Sequence, residues 1–598
     1  MKDYNLDKLK QMSNNELISL ANEVRLKIIN LSKEKNIHLA SNLGIIELTI
    51  TLLFSFNLPI DKLIYDTGHQ TYAHKILTGR WDRFETIRDD NGLSGFPDNI
   101  ESEYDVVGFG HSGTSLSFCQ GLIESNDNHS NFLIPIIGDA SISNGISFEA
   151  LNNISFNQTK MIIVLNDNGM SISKNVGAFH KMLSQFKISS FFLQGYKIVN
   201  RLFNKKGFSK KIYTFLYKMY SFSENVFLSK NLFQNLDFIY IGPIDGHNIK
   251  QMIKAINSAK YFSQTKAVVL HVKTKKGFGL EQAVNDDIGY YHSSIMPDDT
   301  LLTYGRCSAN WLEKLIESKT KNIKVLNCGM TLPTGFWNFS KNYPKQYEDV
   351  GIAEEHAVAK SIGISYSGDR VYVVLYSTFL QRSYDQIHDI SRLKLPVCFL
   401  IDRGGISYGD GDSHHGIYDI SFIKSIPNSI ICNPSNKFEL EQLLEHSLSN
   451  ENSPFFIRYT NDECLEIKTQ PFIFGSWLEV VSNGNRKLII SYGNSINEIK
   501  KEIKNKNIDL INSIYITHYD TKKVIQYLKK YKEIYVIEKC YYENNLYTDL
   551  VKIIYENKIT TNIFSYCIKT NKIGFGTKSR IDGNLNIDIK KIISDITK

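Results

Sequence analysis

Short apolar runs rich in valine and isoleucine recur along the chain, between longer stretches in which apolar residues return every three or four positions. They occupy residues 132–137, 161–165, 267–272, 372–375, 397–401, 429–432, 455–459, 488–492, 511–516 and 534–537. Runs that are apolar throughout suit strands buried on both faces, and strands alternating with helices build parallel sheets through crossover connections. The pattern predicts an α/β chain of three consecutive domains with mainly parallel sheets, 1–300, 301–470 and 471–598. The divisions fall where Pro, Gly and polar residues interrupt it, near 298–303 and 469–475. Residues 180–235, rich in Phe, Tyr and Lys without strand punctuation, read as a helical insertion in the first domain.

In parallel sheets, ligands gather beyond the carboxyl ends of the strands. The run at 132–137 leads into Gly138-Asp139-Ala140-Ser141 and the run at 161–165 into Asn166-Asp167-Asn168-Gly169. Asp139 and Asn168 are therefore expected at one rim. A carboxylate and an amide oxygen are the donors a hard divalent cation prefers, and diphosphate oxygens complete its octahedron. Taken alone, Gly-Asp after a strand is also simply a good turn, so the neighbouring motifs decide.

Composition narrows the classes. The 598 residues are 42% hydrophobic and 22% charged, enough for several cores. The net charge of +7 is spread without a dense Lys/Arg block, which points to anionic small molecules and away from nucleic acid. Eight cysteines without zinc-like spacing predict reduced thiols and a cytoplasmic protein. No run approaches the ~18 apolar residues of a membrane helix.

Six further motifs follow in order: Asn36-Ile-His-Leu-Ala-Ser-Asn-Leu-Gly44, Asp66-Thr-Gly-His-Gln-Thr-Tyr-Ala-His-Lys-Ile-Leu-Thr-Gly-Arg80, Gly92-Leu-Ser-Gly-Phe-Pro97, Gly110-His-Ser-Gly-Thr-Ser115, Ile352-Ala-Glu-Glu-His-Ala357 and Tyr376-Ser-Thr-Phe-Leu-Gln-Arg-Ser-Tyr-Asp-Gln386. Together with Asp139 and Asn168, 29 positions apart, they resemble the 1-deoxy-D-xylulose-5-phosphate synthase family, relatives of transketolase, from about residue 30 to about residue 460. The resemblance implies two thiamine-diphosphate-binding folds followed by a transketolase C-terminal-like domain. It also implies a homodimer that joins pyruvate to glyceraldehyde 3-phosphate with loss of CO2, feeding isoprenoid, thiamine and pyridoxal synthesis.

The same resemblance assigns residues. Asp139, Asn168 and the Met170 carbonyl would hold Mg²⁺. Gly110, His111, Ser112, Ala140 and Ser141 would meet the diphosphate of thiamine diphosphate. Glu354 would activate the aminopyrimidine, with Ile352 and Met330 buttressing the cofactor and Phe379 stacked on it. His38, His69, His292 and His414 would surround the reactive carbon, His69 also touching the cofactor. Tyr376, Arg382, Arg403 and Asp410 would recognise the acceptor, an arginine fork being suited to phosphate.

Four departures stand against the pattern. Asn461 in Arg458-Tyr-Thr-Asn461 replaces a phosphate-binding arginine, which leaves open a carboligase with another aldehyde acceptor. Ala140 replaces a glycine, where a methyl group crowds any turn of positive φ. Leu280 replaces a cofactor-contacting tyrosine. The last domain has Ile537-Glu-Lys-Cys-Tyr-Tyr-Glu-Asn-Asn545 in place of a Gly-rich turn. The last three leave open an inactive relative kept as a binding or structural subunit.

Overall fold

The computed structural model describes residues 6–125, 131–171, 174–185, 231–294, 301–319, 322–409 and 411–597. The chain forms two compact units, one of residues 1–87 and 92–296, the other of residues 88–91 and 297–598. Asp410 and the stretch 186–230 of the expected insertion lie outside the described residues. The flanks of that stretch are the helices Ala178–Gln185 and Leu232–Asn235.

The first unit holds a five-stranded parallel sheet built from β1 (Lys62–Tyr65), β2 (Leu133–Gly138), β3 (Ile162–Asp167), β4 (Ile239–Asp245) and β5 (Val268–Lys273), in the order β1-β2-β3-β5-β4. Side chains alternate across its faces. Ile134, Ile136, Ile162, Val164 and Leu270 enter one apolar cluster, Ile137, Ile163, Leu165 and Val269 the other. Covering both faces explains why these strands read as unbroken apolar runs.

The second unit holds two sheets. One is parallel, from β6 (Ile323–Asn327), β7 (Tyr347–Asp349), β8 (Arg370–Tyr376), β9 (Cys398–Asp402), β10 (Ile430–Cys432) and β11 (Phe455–Arg458), ordered β10-β11-β9-β8-β6-β7. The other comprises β12 (Leu478–Val481), β13 (Lys487–Ser491), β14 (Ile508–Asn512), β15 (Glu533–Tyr541) and β16 (Asn562–Ile568), ordered β12-β14-β13-β15-β16 and parallel except where β12 meets β14. One apolar cluster runs through both sheets, joining Val374, Leu400 and Phe456 to Leu488, Ile490, Ile511 and Val536.

The apolar run expected at 511–516 divides in two. Its start closes β14, which begins earlier with Ile508 and carries a buried carboxylate, Asp509, satisfied by Asn483 N at 2.9 Å, Asn485 Nδ2 at 2.8 Å and Tyr531 Oη at 2.9 Å. Its end leaves the sheet and bonds to the edge strand β10, Asn433 N to Ile514 O at 2.9 Å and Ile516 N to Ile431 O at 2.8 Å. The segment lacking a Gly-rich turn extends β15 instead. There the buried Glu538 accepts from Leu546 N and Tyr547 N, each at 3.0 Å, at the start of the helix Leu546–Glu556.

All eight cysteines are buried with free thiols. Among the described residues no helix is long and apolar enough to cross a membrane.

Candidate active site

The register Gly138↔Asn166 aligns the carboxyl ends of β2 and β3, bringing Asp139 and the turn at Asn168 to one rim. Asp139 Oδ2 accepts from Gly169 N at 2.8 Å and Asn175 Nδ2 at 2.9 Å, and Asn168 Oδ1 accepts from Met170 N at 3.0 Å. Burial and the neighbouring charge of Asp167 push the Asp139 carboxyl well up. Asp167 is held low, against the effect of its own burial, by His271, whose Nε2 lies 2.8 Å from it; Tyr240 Oη in turn lies 2.6 Å from His271 Nδ1. Carboxylate, amide and carbonyl oxygens gathered at one rim are the donor set of a hard cation. Ala140 sits at φ −72°, an ordinary right-handed conformation, so its methyl group meets none of the strain of a positive φ. Ser141 follows, buried, in a short 3-10 turn.

Two residues that the sequence reading passed over lie close to this turn. Lys276 is buried, donates from Nζ to Ser171 O at 2.6 Å, and is lowered to about 8 by burial against the pull of Asp286 and Asp139. His180, on the helix Ala178–Gln185 at the start of the expected insertion, places Nδ1 3.7 Å from Asp139 Oδ2. Position supplied the missed signal: Lys276 follows the end of β5, the strand paired with β3. Leu280 turns instead to packing, against the apolar cluster on one face of the first sheet.

The loop carrying Gly110, His111 and Ser112 is pinned from behind. Asp66, fully buried, accepts from Gly113 N at 2.8 Å and Ser115 N at 3.0 Å, where the helix Ser115–Glu124 begins. Gly113 has φ +98°, and a Cβ there would lie 2.6 Å from Ile146 Cγ2.

Three histidines from three separate motifs converge. The ring centroids of His38 and His69 are 5.3 Å apart, those of His38 and His292 5.3 Å, and those of His69 and His292 5.6 Å. Phe96, from the Gly92–Pro97 motif, lies edge-on to His38. The bracket is Asn42: its Nδ2 donates to His38 O at 2.8 Å and His69 O at 2.7 Å, and its Oδ1 accepts from Tyr72 N. Nearby, Asp105 is buried among Arg80, His74 and Lys75, and Arg80 grips it at 2.6 and 2.8 Å. Burial raises that carboxyl, but the bonds from Arg80 and His74 outweigh it and hold it below the usual range.

In the second unit, Glu354, 3% exposed as a residue, opens the helix Glu354–Tyr366, and burial pushes its carboxyl up to about 7 despite the charge of Arg382. Its Oε2 has no hydrogen-bond partner among the described residues. A buried acid in that condition is suited to a ligand that brings a polar atom. Asp349 joins the two loops beside it: Oδ1 accepts from Gly329 N at 2.8 Å and Gly351 N at 2.9 Å. These loops carry Met330, itself bonded through N to Asn327 Oδ1, and Ile352.

Tyr376 and Phe379 stack 5.6 Å apart, and His414 stands edge-on to Phe379 at 5.8 Å. Ser413 Oγ lies 2.9 Å from His414 Nδ1. The guanidinium of Arg403 lies 3.8 Å over the Tyr376 ring and reaches Asp402 at 2.8 Å. Arg403 thus projects from φ +58°, its backbone N and its guanidinium both donating to the Asp402 carboxylate. Arg382 is on the 3-10 turn Gln381–Ser383.

Arg458 plays a different part. It is fully buried; its Nε donates to Asp419 Oδ2 at 2.7 Å and its Nη2 to Gly416 O at 3.2 Å and Lys539 O at 3.4 Å. It ties β11, the loop after β9 and β15 together, while Asn461, three residues on, is exposed. Arg458→Met should lower unfolding free energy by about 3–5 kcal/mol, because Asp419 is left buried and unpaired; urea denaturation followed by circular dichroism measures this, and a loss under about 1 kcal/mol would contradict it.

A family profile described as 1-deoxy-D-xylulose-5-phosphate synthase matches residues 2–274, and one described as the pyrimidine binding domain of transketolase matches residues 302–464. The chain is 51% identical to the 1-deoxy-D-xylulose-5-phosphate synthase of Malacoplasma penetrans, with 99% of this chain and 98% of that protein covered. It is 36% identical to the protein of that name from Chlamydia abortus, covering 98% and 94%. With that from Clostridium acetobutylicum the identity is 35%, covering 99% and 97%.

Proposed function

The chain belongs to the 1-deoxy-D-xylulose-5-phosphate synthase family, and from that premise we propose how its residues share the work. It is a thiamine-diphosphate-dependent transferase of the transketolase type that condenses pyruvate with D-glyceraldehyde 3-phosphate, with loss of CO2, to 1-deoxy-D-xylulose 5-phosphate, for isoprenoid and thiamine synthesis. When bound, the cofactor supplies the electron sink for the carbon that loses CO2.

In the first unit Asp139, Asn168 and the Met170 carbonyl hold Mg²⁺, with Lys276 adding positive charge toward the diphosphate. Gly110, His111, Ser112, Ala140 and Ser141 let phosphate oxygens approach through backbone amides and small side chains. His38, His69 and His292 would orient the carboxylate and hydroxyls of the substrates and move their protons, a role the family resemblance also gives to His414. In the second unit the Glu354 carboxyl, protonated up to about 7, would hold a proton for the ring nitrogen of the aminopyrimidine, and Ile352, Met330 and Phe379 would supply apolar contacts to the cofactor. Tyr376, Arg382, Arg403 and Asp410 read the phosphate and hydroxyls of the acceptor. The observation carrying this division is the buried Glu354 Oε2, which has no hydrogen-bond partner among the described residues. Residues 471–598 form the transketolase C-terminal-like domain, and the homodimer and cytoplasmic location belong to the same reading.

The purified chain, given pyruvate, D-glyceraldehyde 3-phosphate, thiamine diphosphate and Mg²⁺, should release CO2 and 1-deoxy-D-xylulose 5-phosphate in equal amounts. Omitting Mg²⁺ in the presence of a chelator should stop both. Product from other aldehydes with none from glyceraldehyde 3-phosphate would overturn the assignment of the acceptor and point to Asn461.

A further inference from the structure

Residues 274–280, between β5 and the helix Glu281–Val284, carry Lys276 to the turn that follows Asp139 and Asn168. What holds that loop is outside the motifs used so far. His247, just beyond β4, donates from Nδ1 to Glu47 Oε2 at 3.1 Å, which leaves its Nε2 to accept from Lys275 N at 2.9 Å. Its ring lies flat on Phe278, centroids 3.6 Å apart and planes 17° apart. Arg25 completes the brace: it pairs with Glu47, donates from Nε to Phe278 O at 3.0 Å, and covers the Phe278 ring. All of these side chains are buried or nearly so.

The clamped loop reaches the site through two consecutive residues. Lys276 Nζ reaches Ser171 O, one residue past Met170, and Gly277 N donates to Ala40 O at 2.8 Å, two residues past His38. The approach is close enough that a Cβ on Gly246 would lie 2.5 Å from Thr274 Cγ2. An imidazole whose one nitrogen is committed as a donor and the other as an acceptor fixes a backbone amide in one place.

We infer that His247 is a positioning residue for the diphosphate side of the site: through Lys275 N and the Phe278 ring it fixes the loop that presents Lys276, and so sets cofactor affinity while leaving the chemical step alone. The inference rests on the assignment of the cofactor diphosphate to the turns at Asp139 and Asn168.

The test uses the full chain without cofactor, then titrated with thiamine diphosphate at saturating Mg²⁺. His247→Phe keeps the ring stack and removes both hydrogen bonds. It should raise the Kd for thiamine diphosphate about 10–100-fold while kcat at saturating cofactor stays within about twofold. In the cofactor-free protein the amides of Lys275 and Gly277 should exchange with solvent at least about tenfold faster. His247→Gln, whose amide oxygen falls where Nε2 was, should restore most of the affinity, whereas His247→Asn, too short to reach Lys275 N, should not. Should the Phe variant fail to fold, the Gln and Asn pair reads the same contact. Unchanged Kd and exchange in the Phe variant, or Gln and Asn variants that behave alike, would overturn the inference. A wild-type chain that binds no thiamine diphosphate would instead overturn the reading on which it rests.

Discussion

Glu354→Ala should lower kcat by about two to four orders of magnitude, the usual worth of a positioned acid or base, while thiamine diphosphate and Mg²⁺ still raise the melting temperature. The proposed assignment gives the diphosphate and metal contacts to residues of the first unit, so binding should survive the loss of Glu354. Glu354 also leaves a mark on stability. Folded, it keeps its proton up to about 7, against 4.5 for an exposed glutamate, so the folded chain binds more protons between those values and loses stability as pH rises through that window. Glu354→Gln has no proton to lose. Its stability relative to wild type should therefore grow between pH 4 and pH 8, by on the order of 3 kcal/mol. Urea denaturation of the cofactor-free proteins across that range gives the difference, and a flat one would mean that Glu354 titrates like an exposed side chain.

Asp139→Asn should abolish the stabilisation by thiamine diphosphate and Mg²⁺ and with it all measurable activity. Wild type at a hundred times its Kd should gain about 2.7 kcal/mol from the ligand, and the variant almost none. The amide keeps the shape of the acid and takes no charge into a buried place beside Asp167, where burial and that neighbour already favour the neutral form. The metal-free variant should accordingly be as stable as wild type. Scanning calorimetry with and without ligand separates the two effects: ligand stabilisation equal to that of wild type would remove Asp139 from the metal site.

The legible parts of the sequence were those where one residue type admits one environment. The apolar runs at 132–137, 161–165 and 267–272 show themselves because both faces of their sheet are covered. Strands of other character stayed hidden. β4 is interrupted by Gly242-Pro243, β14 contains Asp509, and β16 alternates at the edge of its sheet, so each lacks the continuous apolar signal. Asp139, Asn168 and Glu354 stand at strand or helix ends within ordered motifs. Lys276 had only its place just past β5 to mark it and His180 had no mark, because their proximity to the turns at Asp139 and Asn168 arises only when separate segments of the first unit fold together. Arg458 was legible as a motif member and not as a structural hub, since its partners Asp419, Gly416 and Lys539 are spread over more than a hundred residues.

The apolar cluster shared by the two sheets of the second unit bears on how the chain is made. A nascent chain that has emerged only as far as β11 still lacks Leu488, Ile490, Ile511 and Val536, which cover part of the face behind Val374, Leu400 and Phe456. It also lacks Lys539, whose carbonyl takes one of the bonds of Arg458. The second and third sheets should then acquire their stability in a single step once synthesis is nearly complete, and should lose it in one heat-absorption peak rather than two. For this chain the segment after residue 470 is the last layer of the core on which the loop bearing Arg403 is supported, and a truncation there would expose oil to water instead of trimming an appendage.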